Sequence, residues 1–340
     1  MSPSPRFRTG WRRGKKKAED YISADYLTEA LSTFSGYIAA DELYDGPFCV
    51  LSIVDNRAFK RLVYEVLDHD PKHEDIVRFF GRFQRALESR GLHLQGITTD
   101  ASALYPAAIA AVFGNVPHQV CEFHTIADLT KAILKAVSAV RRALKAKMPR
   151  LARGRPRTNA DRSLARRKKR LQRRVTELFD HRHLLVRRHC TAAQKRRLEQ
   201  ITRGLPHLRT LREIMTEVYR LFDNRCHTDT ALQKLAVLRR RVRRFKGVGK
   251  TLQTLFSPSL QKALTFLSNA PLPATSNAVE RGNRRHRKMQ KSVYRVRSRA
   301  NIRGRIALDM QRDAQAVART LTIDALHSAR AGFTQELTLY

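Results

Sequence analysis

GYIAADELYDGPFCVLSIVDNRAFKRLVYEVL, residues 36–67, holds three short runs of β-branched and apolar residues. Gly36–Glu42, Pro47–Val54 and Arg61–Leu67 are the strand candidates, separated by the turn signals Asp45-Gly46 and Asp55-Asn56. Such close spacing predicts an antiparallel meander. Downstream, Ile76, Phe79, Phe80, Phe83 and Leu87 recur at helical intervals, so a helix is expected from His73 to Arg90, stopped by Gly91. Leu94–Thr99 reads as a fourth strand ending on Asp100. A short helix, Leu104–Phe113, then leads to a fifth strand, His118–Phe123.

Strands and helices in this order predict an α/β fold, a mixed sheet with helices on its faces, in the ribonuclease-H-like strand order. After His124 the period changes. Leu129, Ile133, Val137, Val140 and Leu144 mark one helix. Leu208, Leu211, Met215, Val218 and Phe222 mark a second, and Leu235, Leu238, Val242 and Phe245 a third. Between the first two, Arg153–Arg174 is dense in arginine and lysine. The expected organisation is a basic N-terminal tail (1–35), the first part of the ribonuclease-H-like domain (36–124) and a large all-helical, basic insertion (125–270). Residues 271–310 then complete that domain with its last helix, and 311–340 form a helix and tail.

The chain has 340 residues, with 67 Lys and Arg against 30 Asp and Glu, a formal net charge of +37. Charge of this size selects polyanionic partners, and nucleic acid comes first because each neutralised phosphate releases counterions. No apolar run approaches the ~18 residues of a spanning helix, and the N-terminus has no apolar stretch behind its charges, so neither a membrane protein nor a secretory signal is read. Cys49, Cys121, Cys190 and Cys226 lie far apart and form no disulfide framework. These features place the chain in a reducing compartment, cytoplasmic and nucleoid-associated, with DNA or RNA as partner.

Three acids stand at element ends. Asp41 closes Tyr37-Ile38-Ala39-Ala40-Asp41, Asp100 closes Gly96-Ile97-Thr98-Thr99-Asp100, and Glu280 sits in the first turn of a helix beginning at Asn277. In the expected sheet the first and fourth strands are neighbours, so their carboxylates meet. An oxygen-only cluster suits Mg²⁺ or Mn²⁺. Two such ions ~3.5–4 Å apart would serve in-line phosphoryl transfer, one activating the attacking oxygen and one stabilising the leaving oxygen. Plainer roles compete at each position: Glu42 and Asp45 rival Asp41, Asp100 could cap the helix at Leu104, and Asn277-x-x-Glu280 has the form of a capping box.

Four segments in order carry a resemblance. Asp100 is followed by Leu104-Tyr105-Pro106-Ala107-Ala108-Ile109 with Val112-Phe113, then by Cys121-Glu122-Phe123-His124, and later by Ser276-Asn277-Ala278-Val279-Glu280-Arg281-Gly282-Asn283. This resembles the Mutator-like (MULE-type) DDE transposase superfamily of bacterial insertion sequences, with its Cys-x-x-His signature and Ser/Thr-Asn-x-x-Glu-x-x-Asn segment, over roughly residues 36–310. The resemblance implies that Asp41, Asp100 and Glu280 are catalytic metal ligands and that Cys121 and His124 are the signature pair. It also implies that a homodimer acts on paired DNA ends. Asn283 and Arg287, one and two turns beyond Glu280, share its helix face and are expected at phosphate, with Arg284 and Lys288 as further DNA-binding candidates. A zinc site at Cys121 and His124 would need two further soft ligands, and His189-Cys190 and Cys226-His227 lack the spacing.

The function so expected is metal-dependent DNA strand cleavage and strand transfer. Only about 35 residues precede the first strand, too few for a terminal-repeat-reading module, so the alternative is a truncated or inactive remnant that only binds DNA. A basic RNA-binding protein would match the composition but gives no reason for carboxylates at paired strand ends.

Overall fold

The computed structural model describes residues 5–24, 26–152, 154–223, 226–243, 246–292 and 295–315. In chain order, α1 (Pro5–Ala24) and α2 (Tyr26–Leu31) precede β1 (Tyr37–Asp45), β2 (Phe48–Asp55) and β3 (Arg61–Leu67). Next come α3 (His73–Glu88), β4 (Gly96–Thr99), α4 (Tyr105–Phe113), β5 (His118–Val120) and α5 (Glu122–Ala146). The helices α6 (Asn159–Asp180), α7 (Ala192–Thr202), α8 (Pro206–Leu221), α9 (Thr228–Arg243), α10 (Lys246–Thr251) and α11 (Pro258–Lys262) follow. The described chain closes with α12 (Asn277–Gln290) and α13 (Arg299–Gln315). It divides into two compact units, residues 1–118 with 271–340, and residues 119–270.

The first unit is built on a five-stranded sheet of order β3-β2-β1-β4-β5. β1 pairs antiparallel with β2 and parallel with β4, and β2 pairs antiparallel with β3. This mixed sheet is compatible with the ribonuclease-H-like fold. The β1–β2 hairpin is tight because Gly46 takes φ +63°, a conformation that glycine adopts without steric cost. One large core joins Ile38, Ala40 and Ile53 of the sheet to Phe79, Phe80 and Phe83 of α3 and Tyr105, Ala108 and Ile109 of α4. Alternation along β1 sends Ala39 away from Ile38 and Ala40. Ala39 instead packs with Val54 against Ala278 and Val279 of α12, with Phe59 beside them.

Two differences from the sequence reading are local. Where a basic tail without apolar period is expected, residues 5–24 are helical: α1 lies along α13, and Ala18 is fully buried. A helix that charged can form because one strip of it is covered by tertiary packing, which sequence period alone does not register. β5 ends at Val120 rather than Phe123, since the chain turns into α5 at Cys121. The expectations for Phe245 and for residues 316–340 lie outside the described residues.

Among the described residues the second unit's elements are all helices apart from Gln119 and Val120 of β5. Its core is the apolar face of α5 (Leu129, Ile133, Val137) packed with Leu208, Leu211 and Met215 of α8 and Leu235 and Leu238 of α9. Cys121 is the buried N-cap residue of α5, and His124 lies in its first turn.

Candidate metal centre

Asp41 and Asp100 reach one another through strand register. β1 and β4 run parallel with Tyr37 opposite Gly96, Ile38 opposite Ile97 and Ala39 opposite Thr98. Continued two residues further, that register sets Asp41 beside Asp100. Ligand oxygens of Asp41, Glu42 and Asp100 all lie within 4.8 Å of one another, the one such group of His, Cys, Asp or Glu among the described residues. Asp41 and Glu42 are buried, and Asp100 is half-buried.

Glu42 is the unexpected member. Sequence reading treats it as a rival of Asp41, one that a turn or the surface would account for. Its side chain is instead sequestered on the α4 side of the strand, where Tyr105 Oη donates to its Oε2 at 2.6 Å. Burial pushes the Glu42 carboxyl above its ordinary value, the Tyr105 hydrogen bond opposes that, and the Asp100 charge adds to it. The buried Tyr105 hydroxyl is pushed well above its ordinary range, first by burial and then by the Glu42 charge. Asp45, the other rival, is also engaged: His286 Nε2 lies 2.9 Å from its Oδ2, and Gln290 Nε2 donates to the same oxygen. Only the partners Tyr105, His286 and Gln290 could have distinguished these acids, and such pairings carry no local sequence signal.

Asp100 does not cap the following helix. It accepts from Ser102 N–H at 2.9 Å in a local turn, while the N-cap residue of α4 is Leu104, which makes no side-chain capping bond. Thr99 Oγ1 holds the strand end, bonding the Asp100 carbonyl at 2.9 Å and His118 Nε2 at 2.8 Å.

Glu280 is carried by α12, and the segment entering this helix is fastened at two points. Thr98 Oγ1 donates to the Pro273 carbonyl at 2.9 Å, and Asn56 Nδ2 donates to the Thr275 carbonyl at 3.1 Å. The helix starts at Asn277 with Ser276 as N-cap residue and no side-chain capping bond, so the Asn277–Glu280 capping box is not formed. Glu280 is half-buried, with Arg287 Nη1 3.7 Å from its Oε2. It is not among the three residues of the 4.8 Å cluster. One turn on, Asn283 is fully buried and its Nδ2 donates to Asp41 Oδ2 at 2.7 Å. The α12 face bearing Asn283, His286 and Gln290 thus sits on β1 through Asp41 and Asp45.

The remaining cations of α12 divide. Arg284, Arg287 and Lys288 are exposed, as is Arg281, whose guanidinium stands 5.0 Å from the Phe59 ring centre. Arg285 turns to Asp313, at 2.9 and 2.6 Å, and to Asp309 at 3.3 Å. Gly282 leaves room for Arg61, since a Cβ there would lie 2.6 Å from Arg61 Nη2.

Chemically, the arrangement is a set of hard oxygen donors converging at neighbouring strand ends, with the Asn283 carboxamide reaching Asp41 from α12. Such donors suit Mg²⁺ or Mn²⁺ and are poorly matched to zinc. A family model described as Transposase, DDE_Tnp_ISL3, matches residues 49–306, a stretch that contains Asp100, Cys121, His124 and Glu280 and begins after Asp41. No curated protein matches the chain.

Proposed function

This chain belongs to the DDE_Tnp_ISL3 transposase family, and we propose that it cuts and joins DNA with Asp41, Asp100 and Glu280 as the catalytic carboxylates. Membership in the family makes it a DNA-binding protein of transposition and points to polynucleotidyl transferase or nuclease chemistry. The observation that carries the catalytic reading is the convergence of Asp41 and Asp100 at the ends of paired parallel strands.

Asp41, Asp100 and Glu280 would hold Mg²⁺ or Mn²⁺, and the donor chemistry fits: the oxygen ligands of Asp41 and Asp100, with Glu42 beside them, are crowded to a charge density that a cation relieves, and Glu280 would join them from α12. Bound there, divalent cations supply Lewis acidity to both oxygens of an in-line displacement. In that displacement an attacking water or 3′-hydroxyl oxygen forms a bond to phosphorus as the bond to the leaving oxygen breaks. The chain's own residues set the geometry. β1 and β4 fix two carboxylates by backbone register, and Thr98 and Asn56 fix the entry of the helix that bears the third. Tyr105 holds Glu42 through its Oε2, and Glu42, whose ligand oxygen lies within 4.8 Å of those of Asp41 and Asp100, adds negative potential beside them.

The finer reading is part of the same proposal. The order Asp100, Cys121-x-x-His124, Asn277-x-x-Glu280 supports a Mutator-like relationship, with Cys121 and His124 as its signature pair. Residues 119–270 are read as a helical insertion between Asp100 and Glu280, supported by their compactness as a unit. Exposed Arg284, Arg287 and Lys288 on the helix of Glu280 suit phosphate, and a homodimer acting on two ends suits the reaction. No helix among the described residues is long and apolar enough to cross a membrane.

The test is a plasmid strand-transfer assay with the element's own terminal sequences in Mg²⁺ or Mn²⁺. Wild type is expected to nick and join, and Asp100→Asn to do neither. Nicking without joining would make the protein a nuclease. DNA binding with neither reaction would make it an inactive, DNA-binding remnant.

A further inference from the structure

Two buried polar atoms flank Asp41, and neither has a hydrogen-bond partner among the described residues: Asn283 Oδ1 and Ser52 Oγ. Asn283 is fully buried and Ser52 is 1% exposed. Their positions are linked. Ser52 is directly opposite Asp41 in the β1–β2 ladder, so the two side chains emerge on the same face of the sheet. Asn283 reaches Asp41 from α12 on that face, with Nδ2 2.7 Å from Asp41 Oδ2. A carboxamide oxygen and a hydroxyl buried without partners are each costly, and folded proteins leave few such groups. Two of them beside one carboxylate, next to an acidic cluster, are acceptors placed to receive hydrogen-bond donors.

A hydrated divalent cation is the ligand that provides such donors together with charge for Asp41. Mg²⁺ and Mn²⁺ sites of this kind retain several water molecules, whose O–H groups are polarised by the ion and point outward. We propose that Asn283 and Ser52 complete the cation site at Asp41. Asn283 Nδ2 holds the carboxylate in one orientation, and Asn283 Oδ1 and Ser52 Oγ accept hydrogen bonds from water bound to the ion. The proposal rests on the reading of Asp41 as a metal ligand, and it makes Ser52 and Asn283 positioning residues. Asn283 is thereby committed to the metal centre, which its burial favours over direct contact with a phosphate.

The experiment is a Mn²⁺ titration of the full chain without DNA, followed by electron paramagnetic resonance, with thermal unfolding in chelator as a parallel measurement. Partners that orient metal ligands typically contribute ~10–100-fold to metal affinity, so Ser52→Ala and Asn283→Leu are each expected to weaken Mn²⁺ binding by about that factor. Ser52→Ala is expected to unfold in chelator at or above the wild-type temperature, because the hydroxyl it removes is unpaired. A loss of affinity with stability intact separates a metal role from a packing role, and Ser52→Ala carries the test should Asn283→Leu not fold. Wild-type affinity in both variants, alongside lost binding in Asp41→Asn, would overturn the inference and leave the metal reading standing. No Mn²⁺ bound by wild type would overturn both.

Discussion

Glu42 and Asp41 are adjacent in sequence and differ in everything that decides their chemistry. Asp41 lies on the α12 side of β1 with Asn283, whereas Glu42 lies on the other side with Tyr105. Removing the donor by Tyr105→Phe leaves a buried carboxylate without its hydrogen bond, an expected loss of about 1–3 kcal/mol at neutral pH by denaturant unfolding. Glu42→Gln should do the reverse in metal-free buffer. Burial raises the Glu42 pKa in the folded state above the ordinary 4.5, so the folded protein holds that proton more tightly than the unfolded chain does. The resulting penalty is absent below 4.5, grows as pH rises through the folded value, and is complete above it. Glu42→Gln is therefore expected to raise the unfolding temperature at pH 7 and to match wild type in acid. An equal gain at both pH values would show that the charge is not its source. The strand-end logic that singles out Asp41 and Asp100 is legible in sequence because backbone register decides it. The burial of Glu42, the orphaned Ser52 hydroxyl and the Asn283–Asp41 bond depend on side chains brought together from distant parts of the chain, so no local pattern announces them.

At the level of elements, α12 is set by its fastenings at Thr98 and Asn56 and by close approach at Gly282. In an ordinary helix interior Gly→Ala gains about 1 kcal/mol. Here a Cβ would meet Arg61 Nη2 at 2.6 Å, so the Arg61 guanidinium would have to shift and Gly282→Ala is expected to yield no such gain in thermal unfolding. A rise in unfolding temperature would mean that Arg61 moves aside freely. Phe59 contributes from the β2–β3 loop, holding φ +58° while it packs against Ala278 and Val279. That conformation is costly for an aromatic residue and persists only where the surroundings fix it. The strong apolar periods make α3, α5, α8 and α9 legible from sequence. α1 is not legible, because its charged residues mask the strip that α13 covers.

For the whole molecule, the net charge of +37 is unevenly committed. Arg173, Arg188, Arg220 and Arg241 all make ion pairs. Along α6, Arg162, Arg166, Lys169 and Arg170 lie on one exposed face and make no ion pair among the described residues. Neutralising these four to glutamine is expected to lower the slope of log affinity against log salt for duplex DNA by up to ~3–4, about 0.9 for each phosphate that is no longer neutralised. As a control, Lys131, Lys135, Arg142 and Lys145 of α5, all exposed, are changed likewise. Equal effects from the two sets would show that DNA senses the total charge rather than the α6 face.

The central claim, that Asp41, Asp100 and Glu280 perform metal-dependent chemistry on DNA, is tested most directly by plasmid nicking in Mg²⁺ with Glu280→Gln and Glu42→Gln run beside wild type at saturating DNA. Nicking that falls to background in Glu280→Gln and persists in Glu42→Gln is the result expected of a site completed from α12. Wild-type nicking in Glu280→Gln, with the activity lost in Glu42→Gln, would contradict it and make Glu42 the third carboxylate.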